Sequence, residues 1–217
     1  MSDDKQDRLI AKLNRLWKDS QDQALMAKTL RALDERYDLA RKMRKEPGVE
    51  EIITQMAGRL ADSYASLSET RGRKILDIAC GSNTSKAPAL VHINTPFGRK
   101  VSGRSSSGYS ALFEPWFCRM LLELEADPVG VDFGDLEAER FAHYQVDLGK
   151  AGALDFLPGH SFDAIQDSRL FGSPEFTAQF PNQSERLKVA QEIVRQEQRL
   201  LIPGGVIIHS DAHDLLT

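Results

Sequence analysis

The sequence predicts an α/β protein: a doubly wound, mostly parallel sheet with an N-terminal helical extension. Three observations lead there. Short apolar runs recur at Lys74–Ile78, Pro128–Phe133, Ala142–Val146, Phe162–Gln166 and Gly205–His209. Helical stretches, Glu114–Ala126 and Ser184–Leu201, lie among them. Residues 1–70, by contrast, carry apolar stripes at helical spacing. Strands that alternate with helices assemble into parallel sheets covered on both faces, so each strand reads as a continuous apolar run.

The N-terminal stripes come first. Leu9, Leu13, Leu16 and Trp17 share one helical face; Met26, Leu30, Leu33 and Tyr37 share a second; Ile52, Ile53, Met56, Leu60 and Tyr64 share a third. Asp19 or Ser20 caps the second helix. Lys45-Glu46-Pro47-Gly48 separates the second from the third, because proline cannot continue a helix and glycine permits the turn. Such stripes pack on a core or on another subunit; a substrate lid is the alternative. The chain therefore divides into a helical segment, 1–70, and an α/β domain, 71–217.

The pattern changes at Arg73. Lys74–Ile78 reads as a strand buried on both faces, and it ends in a turn. One connection is abnormally long. Residues 84–113 show little periodicity, and they carry Lys86, Arg99, Lys100 and Arg104 with no acid. A loop of that length is a solvated excursion or a functional flap, here one that would close over an anionic group. The helix expected after the first strand is thereby delayed to Glu114-Pro115, where proline suits a first turn.

Bulk properties narrow the function classes. The chain has 217 residues, 41% hydrophobic and 28% charged, enough apolar surface for a packed core. A net charge of −4 gives no general attraction to nucleic acid, which is not expected as a partner. No long apolar run predicts a membrane span, and the polar start MSDDKQDRL has no signal-peptide core. The two cysteines, Cys80 and Cys118, form no CxxC pair. These features point to a cytoplasmic protein.

The chemistry concentrates after the first strand. In open α/β sheets, ligands bind beyond the carboxyl ends of the strands, near the point where strand order reverses. Asp77-Ile78-Ala79-Cys80-Gly81-Ser82-Asn83 places small residues where the backbone must turn and approach a ligand. Gly81 can take positive φ at low cost, and asparagine is among the next most tolerant types. Asp77 is expected to hold the loop by accepting its amide hydrogens, or to reach an ammonium group. Cys80 reads as a small loop filler, since no adjacent base marks it as a nucleophile.

The segment KILDIACGSN at 74–83 resembles motif I of the class I S-adenosylmethionine-dependent methyltransferases, with Ala79 and Asn83 where many members have glycine. Val129-Gly130-Val131-Asp132 is similar to that family's second strand, Tyr144–Leu148 to its third, and Ser161–Ser168 to its fourth. Leu200–Ile208, with its Pro203-Gly204-Gly205 turn, is similar to the unit entering the fifth. The resemblance covers roughly 73–211. It implies a Rossmann-like methyltransferase domain holding S-adenosyl-L-methionine through Asp77, Ala79, Gly81, Asn83, Asp132, Phe133, Asp147, Leu148, Asp167 and Ser168. Asp132 would accept the ribose hydroxyls, and Asp147 would stand on the adenine side. Asp147 and Asp167 have a plainer alternative, satisfying loop amides. Asp163, at the start of its strand, reads as solvated or structural.

Position makes Asp167, His209 and Tyr109 the candidate catalytic bases. The acceptor is expected to be a small molecule, because the motifs of DNA amino- and cytosine methyltransferases are absent. Arg169 and the basic flap would suit a carboxylate- or phosphate-bearing one. His209-Ser210-Asp211-Ala212-His213 suggests a metal site, but without a third spaced ligand cluster no metal is expected. The chain stops at Thr217, so the sheet reads as truncated after the fifth strand. The exposed edge calls for a homodimer or for coverage by the N-terminal helices. Two other classes stay open: a catalytically inactive binding or assembly protein on the same fold, and a nicotinamide dehydrogenase. The last lacks the G-x-G-x-x-G fingerprint, and Asp132 stands far beyond the ~20-residue spacing of its ribose acid.

Overall fold

The computed structural model describes residues 3–83, 93–94, 100–101, 110–168 and 170–217. Five strands, β1 (Lys74–Ile78), β2 (Asp127–Asp132), β3 (Ala142–Gln145), β4 (Phe162–Asp167) and β5 (Leu201–Ser210), form one sheet. Its order is β3-β2-β1-β4-β5, and every neighbouring pair is parallel. Strand order therefore reverses between β1 and β4, as in a Rossmann-like doubly wound sheet.

Eight helices accompany it among the described residues: α1 (Asp3–Leu13), α2 (Ser20–Tyr37), α3 (Leu39–Lys45), α4 (Gly48–Ser63), α5 (Trp116–Glu123), α6 (Pro174–Gln179), α7 (Gln183–Leu200) and α8 (Asp211–Leu216). Asp19 caps α2 by accepting from the Gln21 amide at 2.6 Å. The break at Pro47 falls where proline and glycine demand it. A second break, at Asp38, is not visible as a pattern. Asp38 takes a left-handed conformation at φ 57°, while the Asp34 carboxylate receives the Ala40 amide at 2.6 Å and starts α3. Aspartate tolerates that region better than most residues.

The sheet has a core on each face. On one, Ile75, Ala164 and Ile208 pack under α1–α5 through Leu13, Met26, Leu30, Ile53, Leu60 and Trp116. On the other, Leu76, Ile78, Val131 and Ile165 meet Val189 and Ile193 of α7. The N-terminal helices thus form one layer of an α/β/α sandwich, with their apolar stripes spent on the sheet. Ser63 at the end of α4 donates to the Ile208 carbonyl of edge strand β5 at 3.4 Å. No described helix is long and apolar enough to cross a membrane.

Two expected boundaries move. β5 begins at Leu201, before the Pro-Gly-Gly turn, which becomes an irregularity inside the strand. Its pairing jumps from Phe162↔Leu201 to Ala164↔Val206. Pro203 has no amide to donate, and Gly204 sits at φ 80°, so regular pairing cannot pass through them. The insertion is a detour that returns to its origin. Ser82 donates its amide to the Phe113 carbonyl at 2.7 Å, so the loop after β1 rests directly on the entry to α5. Within the insertion, Ile93–Asn94 and Lys100–Val101 pair as a short antiparallel ladder.

Candidate functional site

A cavity of about 570 Å³ lies at the carboxyl edge of the sheet. The loops after β1, β2, β3 and β4 contribute Ala79–Ser82, Asp132–Gly134, Asp147–Gly149, and Ser168, Leu170, Gly172 and Ser173 to its wall. Met56 of α4, Leu112, Phe113 and Phe176 supply apolar surface opposite. Asp77, Ala79, Gly81, Asp132, Phe133, Asp147, Leu148 and Ser168, all expected at a cofactor site, line this one space. Asn83 and Asp167 do not line it.

The β1 loop explains its own sequence. Ala79 occupies the left-handed region at φ 62° and Gly81 at φ 106°. A Cβ on Gly81 would lie 2.2 Å from the Phe113 carbonyl oxygen, so no side chain fits there. Gly134 is similarly confined, with the Ser82 Cβ 2.5 Å from where its own would be.

The acids exchange expected duties. Asp132, not Asp77, grips the loop amides: one carboxylate oxygen accepts from Gly81 at 3.0 Å and the other from Gly134 at 2.7 Å. Asp77 is buried and accepts instead from Gln166 Nε2 at 3.3 Å and from the Cys118 thiol at 3.5 Å. Burial outweighs these neutral donors and pushes its carboxyl up to about 7. Asp147 accepts from the Gly149 amide at 3.1 Å, holding its own turn at the cavity wall.

Asn83 is a tether. Its amide donates to the Glu137 carbonyl at 2.7 Å and to Glu139 at 2.8 Å, and its oxygen receives the Glu137 amide at 2.8 Å. Asp167 serves the C-terminal helix. It accepts from the Asp211 amide at 2.6 Å, the Ala212 amide at 3.1 Å and the Ser210 hydroxyl at 3.0 Å. That is the loop-amide role left open by its sequence position, and it turns Asp167 away from the cavity. His209 bonds Asp211 at 2.8 Å and also stands outside the lining. Tyr109, Arg169, Lys86, Arg99 and Arg104 lie outside the described residues. Asp163 is structural, receiving the Lys74 amide at 2.8 Å. For Cys80, contact with Cys118 pulls the thiol down, but burial and the nearby carboxylates hold it up at about 11, which disfavours the thiolate.

Three contributors escape sequence reasoning. Arg119 is buried in α5 and joins Glu114 to Glu139, with a 2.6 Å contact to the latter. Lys42 of α3 reaches Glu114 at 2.5 Å, so the cavity-lining Glu114 meets two cations. Arg59 sits half-buried on α4 in the field of Asp211, Asp77, Asp167 and Asp214. The only sequence signal for any of the three is a cation placed among apolar helix positions.

The wall's charge is one-sided. It carries the carboxylates of Asp77, Asp132 and Asp147, and of Glu114, which Lys42 and Arg119 pair from behind, and, among the described lining residues, no lysine, arginine or histidine. No protein-family model matches the chain, and no curated protein or solved structure matches it either.

Proposed function

We propose that this cavity binds S-adenosyl-L-methionine and that the protein is a class I methyltransferase acting on a small molecule. The observation that carries the reading is the acidic wall at the switch point of a doubly wound sheet. Charge of one sign in a low-dielectric cleft selects ligands of the other. A sulfonium and an ammonium group suit such a wall, whereas a dinucleotide pyrophosphate needs amide donors and cations. Asp77, near the end of β1, is read as the partner of the ammonium. Asp132 is read as the acceptor of the ribose hydroxyls, since a carboxylate can receive two vicinal hydroxyls.

The chemistry asked of the protein is modest. The sulfonium methyl is already activated, so the wall must align it with a nucleophile and exclude water. Met56, Leu112, Phe113 and Phe176 provide the dry surface. Asp77, with its carboxyl near 7, is the lining group best able to exchange a proton near neutrality. Asp167 and His209 are committed to α8. The apolar, acidic lining favours a neutral or cationic acceptor over the anionic one that Arg169 and the basic flap suggest by sequence.

A screen of small phenols, amines and carboxylates, read as homocysteine released from the demethylated cofactor, tests turnover. Release with a neutral or cationic acceptor supports the reading. Cofactor binding without release across the screen favours the inactive binding protein on the same fold.

A further inference from the structure

A second site stands at the carboxyl end of β5, apart from the cavity lining. We propose that His209, Asp211 and Asp214 bind a divalent transition-metal cation, Zn²⁺ being the simplest probe. One ligand atom from each lies within 4.8 Å of the others. His209 Nε2 is 2.8 Å from the Asp211 carboxylate and 4.0 Å from that of Asp214. Donors at ~2.1 Å around a tetrahedral Zn²⁺ sit about 3.4 Å apart, so the two separations bracket the required one. Imidazole with two carboxylates suits Zn²⁺, Mn²⁺ or Fe²⁺ better than Ca²⁺, and three protein ligands leave positions open for water or a further ligand.

A plain histidine–aspartate hydrogen bond explains only part of this arrangement. A single imidazole N–H satisfies one carboxylate, yet Nε2 faces two. The placement is also built. The β4–β5 register passes from Ile165↔Ile207 to Gln166↔His209, skipping Ile208, and such a bulge re-aims the side chain that follows it. Buried Asp167 then fixes the Asp211 and Ala212 amides, and Ser210 caps α8, so Asp211 and Asp214 share a helix face held in place.

The adjacent strand supplies an independent sign. Gln166, the register partner of His209, is fully buried, and its Oε1 has no hydrogen-bond partner among the described residues. Its Nε2 is committed to Asp77 and Ser168. The register thus sets an unpartnered buried acceptor on the strand next to His209. Arg59 lies in the field of Asp211, Asp214 and Asp167. Sequence spacing suggests His213 as a third ligand; the fold turns it instead to Glu197, 3.2 Å away, and brings Asp214 in.

The test is equilibrium dialysis of chelator-stripped protein against Zn²⁺ at pH 7.5, with metal and protein quantified together. The wild type should take up one Zn²⁺ per chain at micromolar free metal. His209→Ala and Asp214→Asn should each weaken that uptake at least tenfold, while Glu51→Gln, an exposed acid elsewhere on α4, leaves it unchanged. Asp214 is largely exposed, so its variant should keep the wild-type circular dichroism and melting curve. No stoichiometric uptake by the wild type, or a loss below tenfold in either ligand variant, overturns the site. The readout needs no cofactor, so it stands apart from the fate of the methyltransferase reading.

Discussion

Ala79 and Gly81 show how much a turn can demand of single residues. Both have positive φ, but only Gly81 also lies against a backbone, the Phe113 carbonyl. The left-handed region costs an L-residue about 1–2 kcal/mol, part of which glycine returns through the entropy of the unfolded chain. Ala79→Gly should therefore raise stability by about 0.5–1 kcal/mol in urea unfolding. Gly81→Ala should lower it by about 2 kcal/mol or more, since strain and a clash combine. Equal effects at the two positions would contradict the geometry. The acids Asp77, Asp132 and Asp147 were legible in the sequence as strand-terminal carboxylates. Their division of labour was not, because the amide a carboxylate accepts is set by the loop that folds against it. Asp132 could be assigned the β1 loop only once Gly81 and Gly134 were seen on either side of it.

At the scale of elements, apolar runs located the five strands, the Asp19 cap located α2 and the Pro47-Gly48 break located α4. Failures came where local and tertiary demands compete. The α2–α3 break rests on the Asp34 side chain catching an amide six residues on, which leaves no periodicity to read. β5 starts early because Leu201 finds a partner in Phe162 despite the proline and glycines that follow. Helix α5 carries the clearest energetic prediction. Arg119 is held between Glu114 and Glu139, all three nearly inaccessible, and its guanidinium lies over Tyr37 and Trp116. Removing one member of a buried ion group strands the others, at a cost of about 3–5 kcal/mol. Arg119→Ala should show that loss in denaturant melts. A change under about 1 kcal/mol would mean that water reaches the carboxylates. Because Glu139 also receives Asn83, the same variant should loosen the cavity mouth, measurable as faster amide exchange at 137–139.

The whole molecule is an α/β/α sandwich whose helical N-terminal third is a structural layer, and its interior holds several acids against their preference. Burial pushes Asp77 up to about 7 and Asp167 to about 6. Burial and the neighbouring Asp167 raise Glu197 to about 8. A carboxyl whose folded value lies above its unfolded one binds more protons when folded, so its contribution is complete at low pH and lost as pH rises through the folded value. From about pH 4 to about pH 8 these three groups should make the protein progressively less stable. Thermal melts should fall by several degrees between pH 5.5 and 8.5, and Glu197→Gln should flatten the upper part of that slope. A melting temperature that rises over the window would contradict the burial of these groups.

The acidic cavity wall, finally, can be tested by calorimetric titration of S-adenosylhomocysteine and of NADH into the wild type and Asp132→Ala. S-adenosylhomocysteine should bind the wild type, the variant should lose about 1–3 kcal/mol of that affinity, and NADH should give no binding. Tight NADH binding, no S-adenosylhomocysteine binding, or an affinity unchanged by Asp132→Ala would contradict the assignment of this cavity.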